Sequence, residues 1–119
     1  MAKRINILED DQGIREIMEL ILSDEGFLVS SFANVSDFRA QGLNQLPDLY
    51  MLYVMLPDGN GIDVCKELKA HESLKDIPVI MMSAHVDVES MRMSCGAEAH
   101  IAKPFDIYLL IDQIRSVLD

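Results

Sequence analysis

Leu49-Tyr50-Met51-Leu52-Tyr53-Val54-Met55-Leu56-Pro57-Asp58-Gly59-Asn60-Gly61-Ile62 is the stretch on which the fold turns. Leu49 to Tyr53 is a short apolar run of strand length. Leu56 to Gly61 then concentrates turn residues, which must break the strand. Beyond the break, Ile62, Cys65 and Leu68 recur at helical spacing. The segment therefore predicts a strand, a loop and a helix in immediate succession.

The same unit repeats in both directions. Upstream, Ile5-Asn6-Ile7-Leu8 reads as a strand, and Ile14, Ile17, Met18, Ile21 and Leu22 follow a helical stripe. Phe27-Leu28-Val29 is a second strand, and a weaker helix with Phe38 and Leu43 ends before Pro47. Downstream, Val79-Ile80-Met81-Met82 is apolar throughout, as a strand covered on both faces should be. A fourth helix is expected with Val86, Val88, Met91 and Cys95 inward and Gly96 as its C-cap. Ala99-His100-Ile101 is a fifth strand, and Leu110, Ile114, Val117 and Leu118 form the stripe of a last helix. Five alternating strand–helix units predict an α/β fold, a five-stranded parallel sheet between two helical layers.

A chain of 119 residues without repeat or linker is expected to be one domain, 1–119. No apolar run approaches the roughly 20 residues needed to cross a bilayer. Met1-Ala2-Lys3-Arg4 leads straight into a strand, so no signal peptide is expected and the cytoplasm is the expected location. Cys65 and Cys95 have no metal-ligand spacing and read as reduced, buried thiols. The formal charge of −10, from 20 acidic and 10 basic residues, disfavours direct nucleic-acid binding, which needs a basic face.

In open α/β sheets, ligands sit beyond the carboxyl ends of the strands. That edge gathers Glu9-Asp10-Asp11 after strand one, Tyr53 on strand three, Ser83 on strand four and Lys103-Pro104 after strand five. Three adjacent acids repel one another unless a cation is present, and oxygen-only ligands suit Mg²⁺. Each feature alone has a plainer reading. Acids at a helix start favour the helix dipole, Ser83 suits a turn, and Lys103 suits the surface. Their convergence on one edge favours a functional site.

These segments resemble the receiver domain of two-component response regulators along essentially the whole chain. Ile7-Leu8-Glu9-Asp10-Asp11 is similar to its acidic motif, and Met55-Leu56-Pro57 with Gly59-Asn60-Gly61 to the loop after the phosphoacceptor. Ile77-Pro78-Val79-Ile80-Met81-Met82-Ser83-Ala84 is similar to the strand bearing the switch hydroxyl, and Ala102-Lys103-Pro104-Phe105 to the closing motif. The resemblance implies a flavodoxin-like (βα)5 sandwich with strand order 2-1-3-4-5. It also implies Glu9, Asp10 and the Met55 carbonyl as Mg²⁺ ligands, Lys103 as the phosphoryl partner and Ser83 as the switch hydroxyl. His100 takes the switch aromatic position, although a polar residue on an edge strand is equally good as a reading. The Lys103–Pro104 peptide is implied to be cis. The implied partners are a sensor histidine kinase or hybrid kinase. A downstream protein is a further implied partner, docking through the face of the fourth helix, fifth strand and fifth helix of a monomer or weak dimer.

One residue departs from this pattern. Tyr53 stands where the family carries the aspartate that accepts phosphate. A phenol with an ordinary pKa of about 10 is neutral at pH 7, a poor nucleophile, and brings no charge to a metal. Mg²⁺ binding is therefore expected to be weak or absent. Two readings stay open: a phosphorylation-independent pseudo-receiver acting as an interaction module, and an ordinary receiver with an isolated, natural or introduced substitution at Tyr53. Phosphorylation of Tyr53 itself is disfavoured, because the geometry serves a carboxylate. A Mg²⁺-dependent phosphatase on a related fold would need an Asp-x-Asp nucleophile motif that Glu9-Asp10-Asp11 does not supply, so no enzyme is expected. From Ser83 to Gly96 the chain is a pair of residues shorter than the family pattern, which makes the docking face atypical.

Overall fold

The computed structural model describes residues 2–41, 46–83, 95–102 and 106–118. Five parallel strands, β1 (Arg4–Leu8), β2 (Leu28–Phe32), β3 (Leu49–Tyr53), β4 (Val79–Ser83) and β5 (Ala99–Ala102), form one sheet in the order β2-β1-β3-β4-β5. The helices are α1 (Gln12–Asp24), α2 (Val35–Gln41), α3 (Gly61–Ala70) and a last helix, α4 (Ile107–Leu118). This is the expected flavodoxin-like fold with the expected strand order.

Alternation along the strands sorts the core into two layers. Leu8, Tyr50, Leu52, Val79 and Met81 face α2 and α3, where they meet Phe38, Val64, Cys65 and Leu68. Ile5, Ile7, Leu49, Met51, Ile80 and Met82 face α1 and α4, where they meet Met18, Leu22, Leu110 and Ile114. Both faces of β3 and β4 are covered, which is why those strands read as unbroken apolar runs.

The second strand lies later than its apolar residues suggested. Phe27 is buried but outside β2, and the strand continues through Ser30, Ser31 and Phe32. Pairing decides this, because Leu28 to Phe32 lie in register with Arg4 to Leu8. The loop after β3 is also more ordered than its turn residues implied. Met55–Leu56 pairs antiparallel with Gly59–Asn60, and Gly61 opens α3. Among the expected fourth-helix residues, Val86, Val88 and Met91 lie outside the described residues, as does Leu43. Gly96 is described, with φ 77°, the left-handed conformation that suits a helix C-cap.

Candidate functional site

The acids after β1 divide into different environments. Glu9 is fully buried; its Oε2 accepts the Asp11 N–H at 3.2 Å. Asp11 is the N-cap of α1, its Oδ1 accepting the Ile14 N–H at 2.9 Å. Arg15, one turn into the helix, braces the turn by donating to the Glu9 carbonyl at 2.9 Å and the Asp10 carbonyl at 3.4 Å. Asp10 and Asp11 are left facing outward, at the edge of the sheet.

Opposite them stands the end of β3. Tyr53 pairs in register with Met82, and the next residue, Val54, donates its N–H to the Met82 carbonyl at 2.9 Å. Ser83, buried at the end of β4, therefore comes level with Val54. The start of α3 closes tightly on this point. The Gly61 N–H donates to the Val54 carbonyl at 2.8 Å, and a Cβ on Gly61 would lie 2.1 Å from the Tyr53 carbonyl oxygen. No side chain fits there, so glycine is required by close backbone approach.

Asp10, Asp11, Ile14, Tyr53 and Met55 line an open pocket of about 560 Å³. The Tyr53 phenol is held above its ordinary pKa, first by burial and then by the charges of Glu9, Asp10 and Asp11. It is thus neutral across the physiological range, and loss of its proton is opposed by the same acids. The structure brings Asp10, Tyr53 and Met55 together as the sequence suggested. Glu9 and Ser83 are buried nearby without lining the pocket, and His100 is half-buried on β5 opposite Met81. Lys103 and Pro104, with the peptide between them, lie outside the described residues. Among the described residues no group of three or more His, Cys, Asp or Glu side chains is arranged to hold a metal ion.

The structure gives Asp11 a second role and adds two residues, Arg15 and Asp58, to those the sequence singled out. Asp11 lines the pocket as well as capping α1, a role its place just ahead of the Ile14 stripe signals. Arg15 braces the acidic turn. Asp58 reaches back to α2, where its two carboxylate oxygens accept the Val35 and Ser36 N–H groups at 2.8 and 3.0 Å. These bonds hold the Asp58 carboxyl below its ordinary pKa, and they keep it engaged at the α2 N-terminus.

Residues 5–115 match the family model described as the response regulator receiver domain. The chain belongs to that family. It is 35% identical over 119 residues to the transcriptional regulatory protein GltR of Pseudomonas aeruginosa, covering 98% of this chain and 49% of GltR. It is 37% identical over 121 residues to the phosphate regulon transcriptional regulatory protein PhoB of Escherichia coli, covering 99% of this chain and 52% of PhoB. The chain thus spans about half the length of these curated relatives. Among solved structures, a response regulator from Chloroflexus aurantiacus superposes with TM-score 0.92 at 28% identity, covering 99% of this chain and 98% of that one. Receiver domains are signalling modules of two-component systems. No helix among the described residues is long and apolar enough to cross a membrane.

Proposed function

We propose that this receiver domain does not accept phosphate on an aspartate and works as a pseudo-receiver, a protein-interaction module of a two-component system. The observation that carries the reading is Tyr53 at the end of β3, in one pocket with Asp10, Asp11 and Met55. A receiver needs a carboxylate there to form an acyl phosphate. The neutral phenol, its pKa raised further by three neighbouring acids, is the wrong nucleophile.

The residues around the pocket suit a hard cation by chemistry, being oxygen donors only. Asp10, the Met55 carbonyl and the buried Glu9 would hold Mg²⁺, which when bound supplies positive charge to neutralise phosphoryl oxygens. Glu9 already engages the Asp11 N–H and Asp11 caps α1, so the acids are pre-set even without a metal. With Tyr53 adding no charge, the expected Mg²⁺ affinity is millimolar or weaker. Ser83 would be the switch hydroxyl, Lys103 the phosphoryl partner, His100 the switch aromatic and Pro104 the structural residue beside Lys103.

The proposed partners are a sensor or hybrid histidine kinase, or a downstream protein docking on the face that includes β5 and α4, in the cytoplasm and without direct contact to nucleic acid or membrane. The proposed unit is one receiver domain, 1–119, acting as a monomer or weak dimer and not as an enzyme. A second reading, an ordinary receiver with an isolated substitution at Tyr53, is favoured by the buried Ser83 and the acidic turn, which are retained in full.

Acetyl phosphate with Mg²⁺ tests the proposal. Intact mass of the chain should stay unchanged, whereas Tyr53→Asp with a retained site should gain one phosphoryl group. A phosphoryl group on the unaltered chain would overturn the pseudo-receiver reading. A stable, phosphorylatable Tyr53→Asp variant would favour the isolated substitution, and a destabilised, inert one would favour an adapted module.

A further inference from the structure

Cys65 and Cys95 lie far from the acidic pocket in function and 30 residues apart in sequence, yet they meet in the core. Cys65 belongs to α3 and is fully buried; Cys95 precedes Gly96 on the approach to β5 and is 5% exposed. The Cys65 thiol donates to the Cys95 carbonyl at 3.3 Å, and both side chains pack in the same apolar cluster with Leu68, Val79 and Ala97. Beside them Lys69 of α3 makes an ion pair with Glu98, and its ammonium also donates to the Ile77 carbonyl at 3.2 Å. The ion pair holds α3 against the same approach segment, and the Ile77 bond ties α3 to the residues ahead of β4, so the two cysteines are kept as neighbours.

We propose that Cys65 and Cys95 are a disulfide site, closed by a low-molecular-weight disulfide, which would bond α3 covalently to the segment entering β5. The balance is that of thiol–disulfide exchange. The thiolate of Cys95, the more accessible of the two, attacks the small disulfide and releases one small thiol. The Cys65 thiolate then attacks the Cys95 sulfur of the mixed disulfide and releases the second. Two protein S–H bonds and one small S–S bond become one protein S–S bond and two small thiols, which carry away both protons.

Packing selects this product over the alternative. Cys95 is only 5% exposed and packs in the same apolar cluster as Cys65, so a tripeptide adduct on it crowds the core until the Cys65 thiolate displaces it. Burial and the Cys95 thiol also hold the Cys65 thiol well above its ordinary pKa. The pair therefore rests reduced and responds slowly, through local opening.

The test is incubation of the native chain with oxidised glutathione, with and without urea below the unfolding transition, followed by intact mass and peptide mapping. The expected result is loss of two hydrogens, a Cys65–Cys95 cross-linked peptide, recovery of both thiols with dithiothreitol, and a raised Tm for the oxidised chain, because closing the loop restricts the unfolded state. Cys65→Ser and Cys95→Ser should each lose the cross-link. Two titratable thiols after incubation in urea, a persistent glutathione adduct, or a disulfide between two chains would each overturn the proposal.

Discussion

Replacing Tyr53 by aspartate exchanges a part-buried ring for a third carboxylate beside Asp10 and Asp11, and the cost can be worked from its surroundings. Deleting a fully buried aromatic costs about 3–5 kcal/mol, so a part-buried one should cost about 2 kcal/mol. A further like charge near the acids adds about 1 kcal/mol in a solvated setting. In metal-free buffer the variant should therefore be about 3 kcal/mol less stable, a fall in Tm of roughly 10 °C for a chain of this size. Magnesium should return part of that loss. With a dissociation constant of about 1 mM, about 10 mM Mg²⁺ stabilises the variant by RT ln 11, about 1.4 kcal/mol or roughly 5 °C. The unaltered chain, with a constant of about 10 mM or weaker, should gain about 0.4 kcal/mol at most. Thermal melts of both chains by circular dichroism, with and without Mg²⁺, measure all four quantities. An unaltered chain that gains as much from Mg²⁺ as the variant would refute the proposal that a phenol at position 53 in place of a carboxylate weakens the site.

Tyr50 is fully buried, its pKa pushed up to about 12 by burial, and its hydroxyl has no hydrogen-bond partner among the described residues. Tyr50→Phe should then stabilise the chain by about 1 kcal/mol in urea unfolding, and a loss of stability would reveal a partner for the hydroxyl. Gly61→Ala must displace the Tyr53 carbonyl, only 2.1 Å from the new Cβ, and should cost about 3 kcal/mol with amide shifts centred on residues 53 and 54. An alanine variant as stable as the parent would show that α3 slides freely on β3. Asp58 has its folded pKa lowered chiefly by the Val35 N–H, so its contribution is present above the unfolded value near 4 and is lost as pH falls through the folded value. The stability gap between the parent and Asp58→Ala should accordingly be open at pH 7 and close below about pH 4; a gap that persists at low pH would exclude the α2 cap as its source.

Much of the fold was legible because periodicity is a local property. Leu49–Tyr53 and Val79–Met82 announced covered strands by their unbroken apolar runs, and the stripes of α1 and α4 announced the faces that Met18, Leu22, Leu110 and Ile114 bury. The acidic turn, Tyr53 and Ser83 could be assigned to one edge of the sheet because strand ends in a parallel sheet lie together. Where residues 28–32 pair could not be read from their own pattern, since Ser30 and Ser31 owe their strand state to the register with β1. Nor did sequence spacing indicate that Asp58 caps a helix 22 residues away, or that Gly61 lies against the Tyr53 carbonyl. Those contacts arise only when α2, β3 and α3 pack together. The sequence by itself determined the α/β architecture, the identity of the edge residues and the presence of a phenol at position 53. Tertiary structure decided which acids face the pocket, because N-capping by Asp11 and burial of Glu9 depend on distances between groups that backbone packing alone sets.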